Sequence, residues 1–426
     1  MRQIHERHPE IVIAGSAGVS PHADTYGPSY AQADRLGVPL MDEHYYQSPE
    51  WLVMNARRYG DHPYRAKAFI GEYASLDDTW FNALAEAAFM TGLERTPAVA
   101  MACYAPLFNN VKYTNWKPDL IQFDGDASYG TPSYWAQWLF MRNQGEELLS
   151  TSDDVAHRET DAWPMRGAAS IRVQVAYMTI DDLTIRTLDA DDPTVLTNID
   201  HAELRPDGER LLPLDTGDGD GFHLEFNFTV PRLPANPGPG DTDIVIRFAG
   251  TSDKDYAAVT INGVWGRMLT LSTVEHGKES PYVMDHMKCL PGERHHAVLE
   301  ADHGHVTFRL DGREAFSQRL TPYNPDDLYY SVVRDADGTI VVKLVNVTDI
   351  PVDVRLDFDH PVKTTAEAER MDGFALDARN DFGNPTRVVP ASQRLTVDGA
   401  EAGDATVNGF DYPLPPHAIH VLRLGM

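Results

Sequence analysis

One change in this sequence constrains its fold more than any other: the period of its apolar residues switches at about residue 168. Before that point short apolar runs alternate with helical patterns. Residues 11–15, 38–42, 66–72 and 98–104 predict strands, and residues 29–36, 50–59 and 79–93 predict helices. In the last of these helices Trp80, Leu84, Ala87 and Ala88 fall near helical spacing, with Ser75-Leu76-Asp77-Asp78 as a capping box ahead of it. Strand–helix repetition builds a parallel sheet, open or closed into a barrel. Four such units are visible, which is half a barrel.

Beyond residue 168 the period is two. Phe222, Leu224, Phe226 and Phe228 alternate with His223, Glu225, Asn227 and Thr229; Val306, Phe308 and Leu310 alternate with Thr307, Arg309 and Asp311. Val354, Leu356 and Phe358 repeat the pattern. Strands buried on one face, separated by Gly, Pro and Asp turns, predict a β-sandwich. The stretch Leu233-Pro234-Ala235-Asn236-Pro237-Gly238-Pro239-Gly240 reads as a loop between strands. With 426 residues the chain is long enough for two or three domains. The fold class is therefore α/β plus all-β.

The net charge of −28 disfavours nucleic acid and anionic membranes as partners, whereas a neutral polymer such as a polysaccharide fits it. No run approaches the roughly 18 apolar residues of a membrane span, and the opening Met1-Arg2-Gln3-Ile4-His5-Glu6-Arg7 has no apolar signal-peptide core. The compartment, cytoplasmic or extracellular, stays open. Cys103 and Cys289 are the two cysteines, which rules out a disulfide framework and a cysteine-rich zinc site.

Chemistry concentrates at two strand ends. Phe69-Ile70-Gly71-Glu72-Tyr73-Ala74 puts Glu72 at the carboxyl end of an apolar run, and Met41-Asp42-Glu43-His44-Tyr45-Tyr46 closes another. Strand C-termini carry the active site in (β/α)8 barrels, so the two segments read as two walls of one pocket. Blander readings exist for each residue. Glu72 fits a salt-bridged carboxylate at a sheet edge, and His44 a core histidine donating to a backbone carbonyl. Trp116 suits a sugar platform or a half-buried packing role. His22 and Asp24 lack further ligands at metal-binding spacing, and Gly15-Ser16-Ala17-Gly18 lacks the rest of a phosphate loop. Asn227-Phe228-Thr229 and Asn346-Val347-Thr348 match the glycosylation pattern by chance, inside strand-like runs.

The two strand-end segments, about thirty residues apart, resemble the catalytic domain of α-L-arabinofuranosidases of glycoside hydrolase family 51. Ala105-Pro106-Leu107-Phe108-Asn109-Asn110, Trp116-Lys117-Pro118-Asp119-Leu120-Ile121 and Pro132-Ser133-Tyr134-Trp135 follow in that family's order. Val342-Lys343-Leu344-Val345-Asn346 and Asp411-Tyr412-Pro413-Leu414-Pro415-Pro416-His417-Ala418-Ile419 resemble its C-terminal β-sandwich. Tyr256-Ala257-Ala258-Val259-Thr260-Ile261-Asn262-Gly263, and Pro291-Gly292 leading into Val306 to Gly312, are similar to a laminin-G or concanavalin-like jelly roll. The resemblance implies three parts. Residues 1–150 form the second half of a (β/α)8 TIM barrel. Residues 168–327 form a jelly-roll insertion, and residues 151–167 and 328–426 the C-terminal sandwich.

For function the resemblance implies retaining hydrolysis of terminal α-L-arabinofuranosyl residues, with no metal and no cofactor. Glu72 aligns with the nucleophile. His44 and Tyr46 match a His-x-Tyr feature in which the tyrosine orients the nucleophile and the histidine lines the sugar pocket. The family's acid/base is the glutamate of an Asn-Glu pair, and no Asn-Glu pair occurs in this chain. The expectation is a C-terminal half of an arabinofuranosidase, inactive alone. Its partners would be an arabinose-containing polysaccharide or oligosaccharide and the missing N-terminal half, with homo-oligomers forming through unpaired strand edges. The competing expectations are a catalytically dead carbohydrate-binding protein with a vestigial half barrel, and the same fold acting as a β-xylosidase.

Overall fold

The computed structural model describes residues 2–18, 20–114, 116–155, 161–174, 177–188, 193–230, 244–261, 269–285, 292–397 and 405–426. They fall into two compact units, one of residues 1–21, 27–158 and 324–426, the other of residues 22–26 and 159–323. The loop at 233–240, Cys289, and the Asn262-Gly263 and Pro291 positions lie outside the described residues.

The first unit opens with helix α1 (Arg2–Arg7) and then alternates strands β1 (Ala14–Ser16), β2 (Leu40–Gln47), β3 (Lys67–Ser75) and β4 (Val99–Tyr104) with helices α2 (Tyr26–Leu36), α3 (Pro49–Met54) and α4 (Trp80–Glu94). The strands are parallel and lie in the order β1-β2-β3-β4. Residues 11–13 depart from expectation: they precede β1 outside any strand, with Ile11 and Val12 exposed. Among the described residues β1 has only β2 beside it, so no second strand covers that apolar run.

Helix boundaries also differ: α2 starts at Tyr26, three residues before its expected start, α4 is shifted by one residue, and both ends of α3 move. The Ser48 hydroxyl accepts the Trp51 N–H to start α3 one residue early, and Pro49 takes the first helical position, where no amide bond is lost. The helix ends at Met54 because the Asn55 side chain donates to the Trp51 carbonyl and takes over the last turn. The capping box of α4 is made by Thr79 and Asn82, not by Ser75 to Asp78. Ser75 is instead the last residue of β3. Nearly every residue of α4 is buried, Trp80, Leu84 and Phe89 completely. A helix apolar on every side has to be enclosed. Here it packs on α3, on β3, on helix α5 (Pro132–Arg142) and on the C-terminal sheet.

That C-terminal sheet has six strands, in the order Ala391–Thr396, Thr365–Met371, Ala418–Leu424, Ile340–Asn346, Tyr329–Arg334, Glu147–Leu148. A two-stranded sheet of Val352–Lys363 with Thr406–Leu414 contributes Val354, Phe410 and Leu414 to the same core. The strand Ile340–Asn346 is buried at every position. Asn346 lies inside, its amide donating to the Ile350 and Pro415 carbonyls, so its glycosylation pattern is unreachable in the folded state.

The second unit is all β. Two six-stranded antiparallel sheets enclose one core, with Phe222, Leu224, Phe226, Phe228, Leu299 and Phe308 from one sheet meeting Ile171, Ile246, Phe248 and Leu271 from the other. The inward positions of Gly221–Thr229 are its alternate, apolar residues. Residues 22–26 belong to this unit: His22 Nδ1 sits 3.1 Å from the Tyr282 carbonyl, and the Asp24 N–H donates to Met284.

Candidate active site

Strand β2 sorts its side chains by parity. Met41, Glu43, Tyr45 and Gln47 are buried on the helix side, while Leu40, Asp42, His44 and Tyr46 share the other, partly open face. Strand β3 begins with the same parity, Ala68 and Ile70 buried opposite Met41 and Glu43. Continued unchanged, that alternation would put Glu72 inside with them. It does not continue. The register steps from Glu43–Ile70 to His44–Glu72, leaving Gly71 as an extra residue. The bulge reverses the parity of β3, so Glu72 faces the same way as His44 and Tyr73 takes the buried side.

On that face the Tyr46 hydroxyl donates to Glu72 Oε2 at 2.8 Å. His44 Nδ1 lies 3.5 Å from the same oxygen, and His44 Nε2 lies 3.2 Å from Asp42 Oδ2. Glu72 is the most open of the set, its side chain 42% exposed. Burial, then the bond to Glu72 and the charges of Glu72 and Asp119, push the Tyr46 hydroxyl far above its ordinary range. It therefore acts as a proton-bearing donor to Glu72. Tyr46 rests on Ala74, Tyr104 and Leu120, and the Trp116 ring meets it edge to face at 5.3 Å, with the indole 47% exposed. Sequence reasoning passed over Asp119. Its carboxyl is pushed up by burial, and its Oδ2 is buried without a hydrogen-bond partner.

Glu43, the neighbouring acid, lies on the opposite face of β2. It is buried and accepts hydrogen bonds from the hydroxyls of Tyr30, Tyr45 and Tyr59. The Arg58 guanidinium lies 5.1–5.5 Å from the ring centroids of Tyr45, Trp51 and Tyr59.

Behind β3, a second carboxyl went unread in the sequence. Glu86 on α4 is fully buried, accepts the Ser75 N–H on Oε1 at 3.0 Å, and is reached by the Gln137 amide at 3.4 Å. Gln137 in turn accepts the Tyr73 hydroxyl at 2.9 Å. Burial pushes Glu86 up to about 7.

Comparison with known proteins places the chain in a family, over a stretch that includes Glu72 and Trp116. The family model of the α-L-arabinofuranosidase C-terminal domain matches residues 50–416. The chain belongs to that family. It is 28% identical over 448 residues to the extracellular exo-α-L-arabinofuranosidase of Streptomyces chartreusis, covering 99% of this chain and 52% of that protein. α-L-Arabinofuranosidase 2 of Arabidopsis thaliana is 38% identical over 131 residues, 29% of this chain and 19% of that one. The chain thus spans about half the length of its Streptomyces relative, and 37% of the probable α-L-arabinofuranosidase A of Aspergillus terreus. Among solved structures, the arabinose complex of the Thermotoga maritima α-L-arabinofuranosidase is similar in fold, with a TM-score of 0.51 at 12% identity, covering all of this chain and 60% of that one.

Proposed function

We propose that this chain carries the nucleophile half of a retaining α-L-arabinofuranosidase active site, acting on terminal arabinofuranosyl groups of arabinose-containing polysaccharides or oligosaccharides. The observation that carries the reading is the Tyr46–Glu72 hydrogen bond on the open face of two adjacent parallel strands. In this reading Glu72 attacks the anomeric carbon, and Tyr46 fixes which of its oxygens is free to do so. His44 lines the sugar pocket, and Trp116 offers a ring face at its rim. The ester formed on Glu72 is then hydrolysed by water with retention of configuration. The four parallel strands, alternating with helices, support half of a (β/α)8 barrel over residues 1–150. Residues 168–327 are then the jelly-roll insertion, and residues 151–167 with 328–426 the C-terminal sandwich.

The second carboxyl of a retaining pair lies about 5 Å from the first and protonates the leaving oxygen. No Asn-Glu pair is available here to supply it. We assign it to a polypeptide outside these 426 residues, which would complete the sheet. The test is complementation. The chain is mixed or co-expressed with the part of the Streptomyces relative that lies outside the match and assayed on an aryl α-L-arabinofuranoside. Alone the chain should be slower by at least the roughly 10²–10⁴ that acid–base assistance supplies. Glu72→Ala in the complemented enzyme should remove turnover, and added azide should restore part of it as the inverted glycosyl azide. Full activity of the chain alone, or an active Glu72→Ala enzyme, contradicts the proposal.

A further inference from the structure

We propose that Asp42 is a positioning residue for Glu72, acting through the His44 ring. The inference rests on the reading of Glu72 as nucleophile. One imidazole lies between two carboxylates, Asp42 Oδ2 at 3.2 Å from Nε2 and Glu72 Oε2 at 3.5 Å from Nδ1. A neutral imidazole carries a single N–H. In this proposal the shorter contact, to Asp42, takes that proton on Nε2, and Nδ1 turns a lone pair towards Glu72. With both protons present, the ring donates to both carboxylates at once. Asp42 therefore decides what Glu72 meets at His44.

The local structure is built to hold Asp42 there. A Cβ at Gly71 would overlap Asp42 Oδ1, so the glycine of the bulge is also the space in which the carboxylate sits. Asp42 Oδ1 is buried with no hydrogen-bond partner. Leaving an acceptor unsatisfied costs free energy, and the fold tolerates this while Oδ2 stays on His44. In the glycosylation step the Glu72 oxygen bonds to the anomeric carbon as the bond to the leaving oxygen breaks, and the carboxylate charge disappears into an ester. Without Asp42, the single proton of the neutral ring would turn to Nδ1, donate to Glu72 before that step and hold back its electron pair.

The test reads the ring directly. In the full chain labelled with 15N-histidine, the His44 nitrogens are assigned by their loss in His44→Gln and observed at pH 8. The wild-type ring should carry its proton on Nε2; a proton on Nδ1 alone overturns the proposal without any variant. In Asp42→Ala the proton should move to Nδ1 and face Glu72, and unchanged nitrogens overturn the proposal. In the complemented enzyme Asp42→Ala should lower kcat roughly 10–100-fold, the scale of a misplaced catalytic group, with KM changed less than about twofold. A tautomer change that leaves kcat intact removes the link to Glu72. If the complemented wild type does not cleave arabinofuranosides, the functional reading fails, while the nitrogen signals still decide the role of Asp42.

Discussion

Glu86→Gln should change how the stability of the first unit depends on pH. Glu86 is fully buried against the end of β3, and burial raises its pKa from 4.5 to about 7. The folded state therefore keeps a proton that the unfolded chain releases near 4.5. The contribution of Glu86 is intact below that value, falls as pH rises, and is lost as pH passes through about 7. At about 1.4 kcal/mol per pH unit, ionising this carboxyl in place costs the fold roughly 3 kcal/mol by pH 8. Glutamine keeps an acceptor for the Ser75 N–H and cannot ionise. Its amide also faces the Gln137 amide, which adds a cost independent of pH. The assay is urea unfolding at intervals from pH 4 to 8, followed by circular dichroism at 222 nm; among the described residues the five α-helices lie wholly or almost wholly in the first unit. The wild-type minus variant difference should fall by roughly 3 kcal/mol between about pH 4.5 and 7.5. A flat difference, or one that rises with pH, refutes the assignment of a protonated Glu86.

Two further perturbations probe how α4 is held. Lys343 is completely buried, with Nζ 2.6 Å from both oxygens of Glu94 at the end of α4 and 5.1 Å from the Phe140 centroid. Lys343→Met leaves the Glu94 charge buried and should cost about 3–5 kcal/mol in urea unfolding, with Glu94→Leu added to it recovering most of the loss. Gly92 has no room for a Cβ, which would overlap the Ala56 carbonyl group. Gly92→Ala should cost about 1–3 kcal/mol through a forced backbone shift, read as a lowered melting temperature.

The sequence carried the outline of the site because its main signals are local. A short apolar run marks each strand, although β2 runs on to Gln47 and β3 to Ser75, past the ends expected at residues 42 and 72, and Asp42, His44 and Tyr46 at every second position share a face by parity alone. The period-two strands of the second unit announce themselves the same way, since Phe222 to Phe228 need only alternate to be sorted. What went unread depends on partners distant in sequence. Nothing near Gly71 signals a bulge, which appears only when β3 is laid beside β2 and Asp42 occupies the space. Lys343 sits in a strand whose second face is covered by α4, so a residue that local sequence would place in water is wholly buried. Glu86 reads as one more helical glutamate until α4 is enclosed on every side. Residues 11–13 fail in the opposite sense: an apolar run is a strand only where a neighbour covers it.

Covalent trapping would identify the attacking carboxylate, proposed to be Glu72. The complemented enzyme is treated with an epoxide inhibitor of α-L-arabinofuranosyl configuration, which esterifies the attacking carboxylate, and the labelled peptide is sequenced by mass spectrometry. The sugar ester should form on Glu72, with labelling prevented by free arabinose and absent in Glu72→Gln. A label on Asp42, Glu43 or any other carboxylate, formed at the same rate in Glu72→Gln, would contradict it.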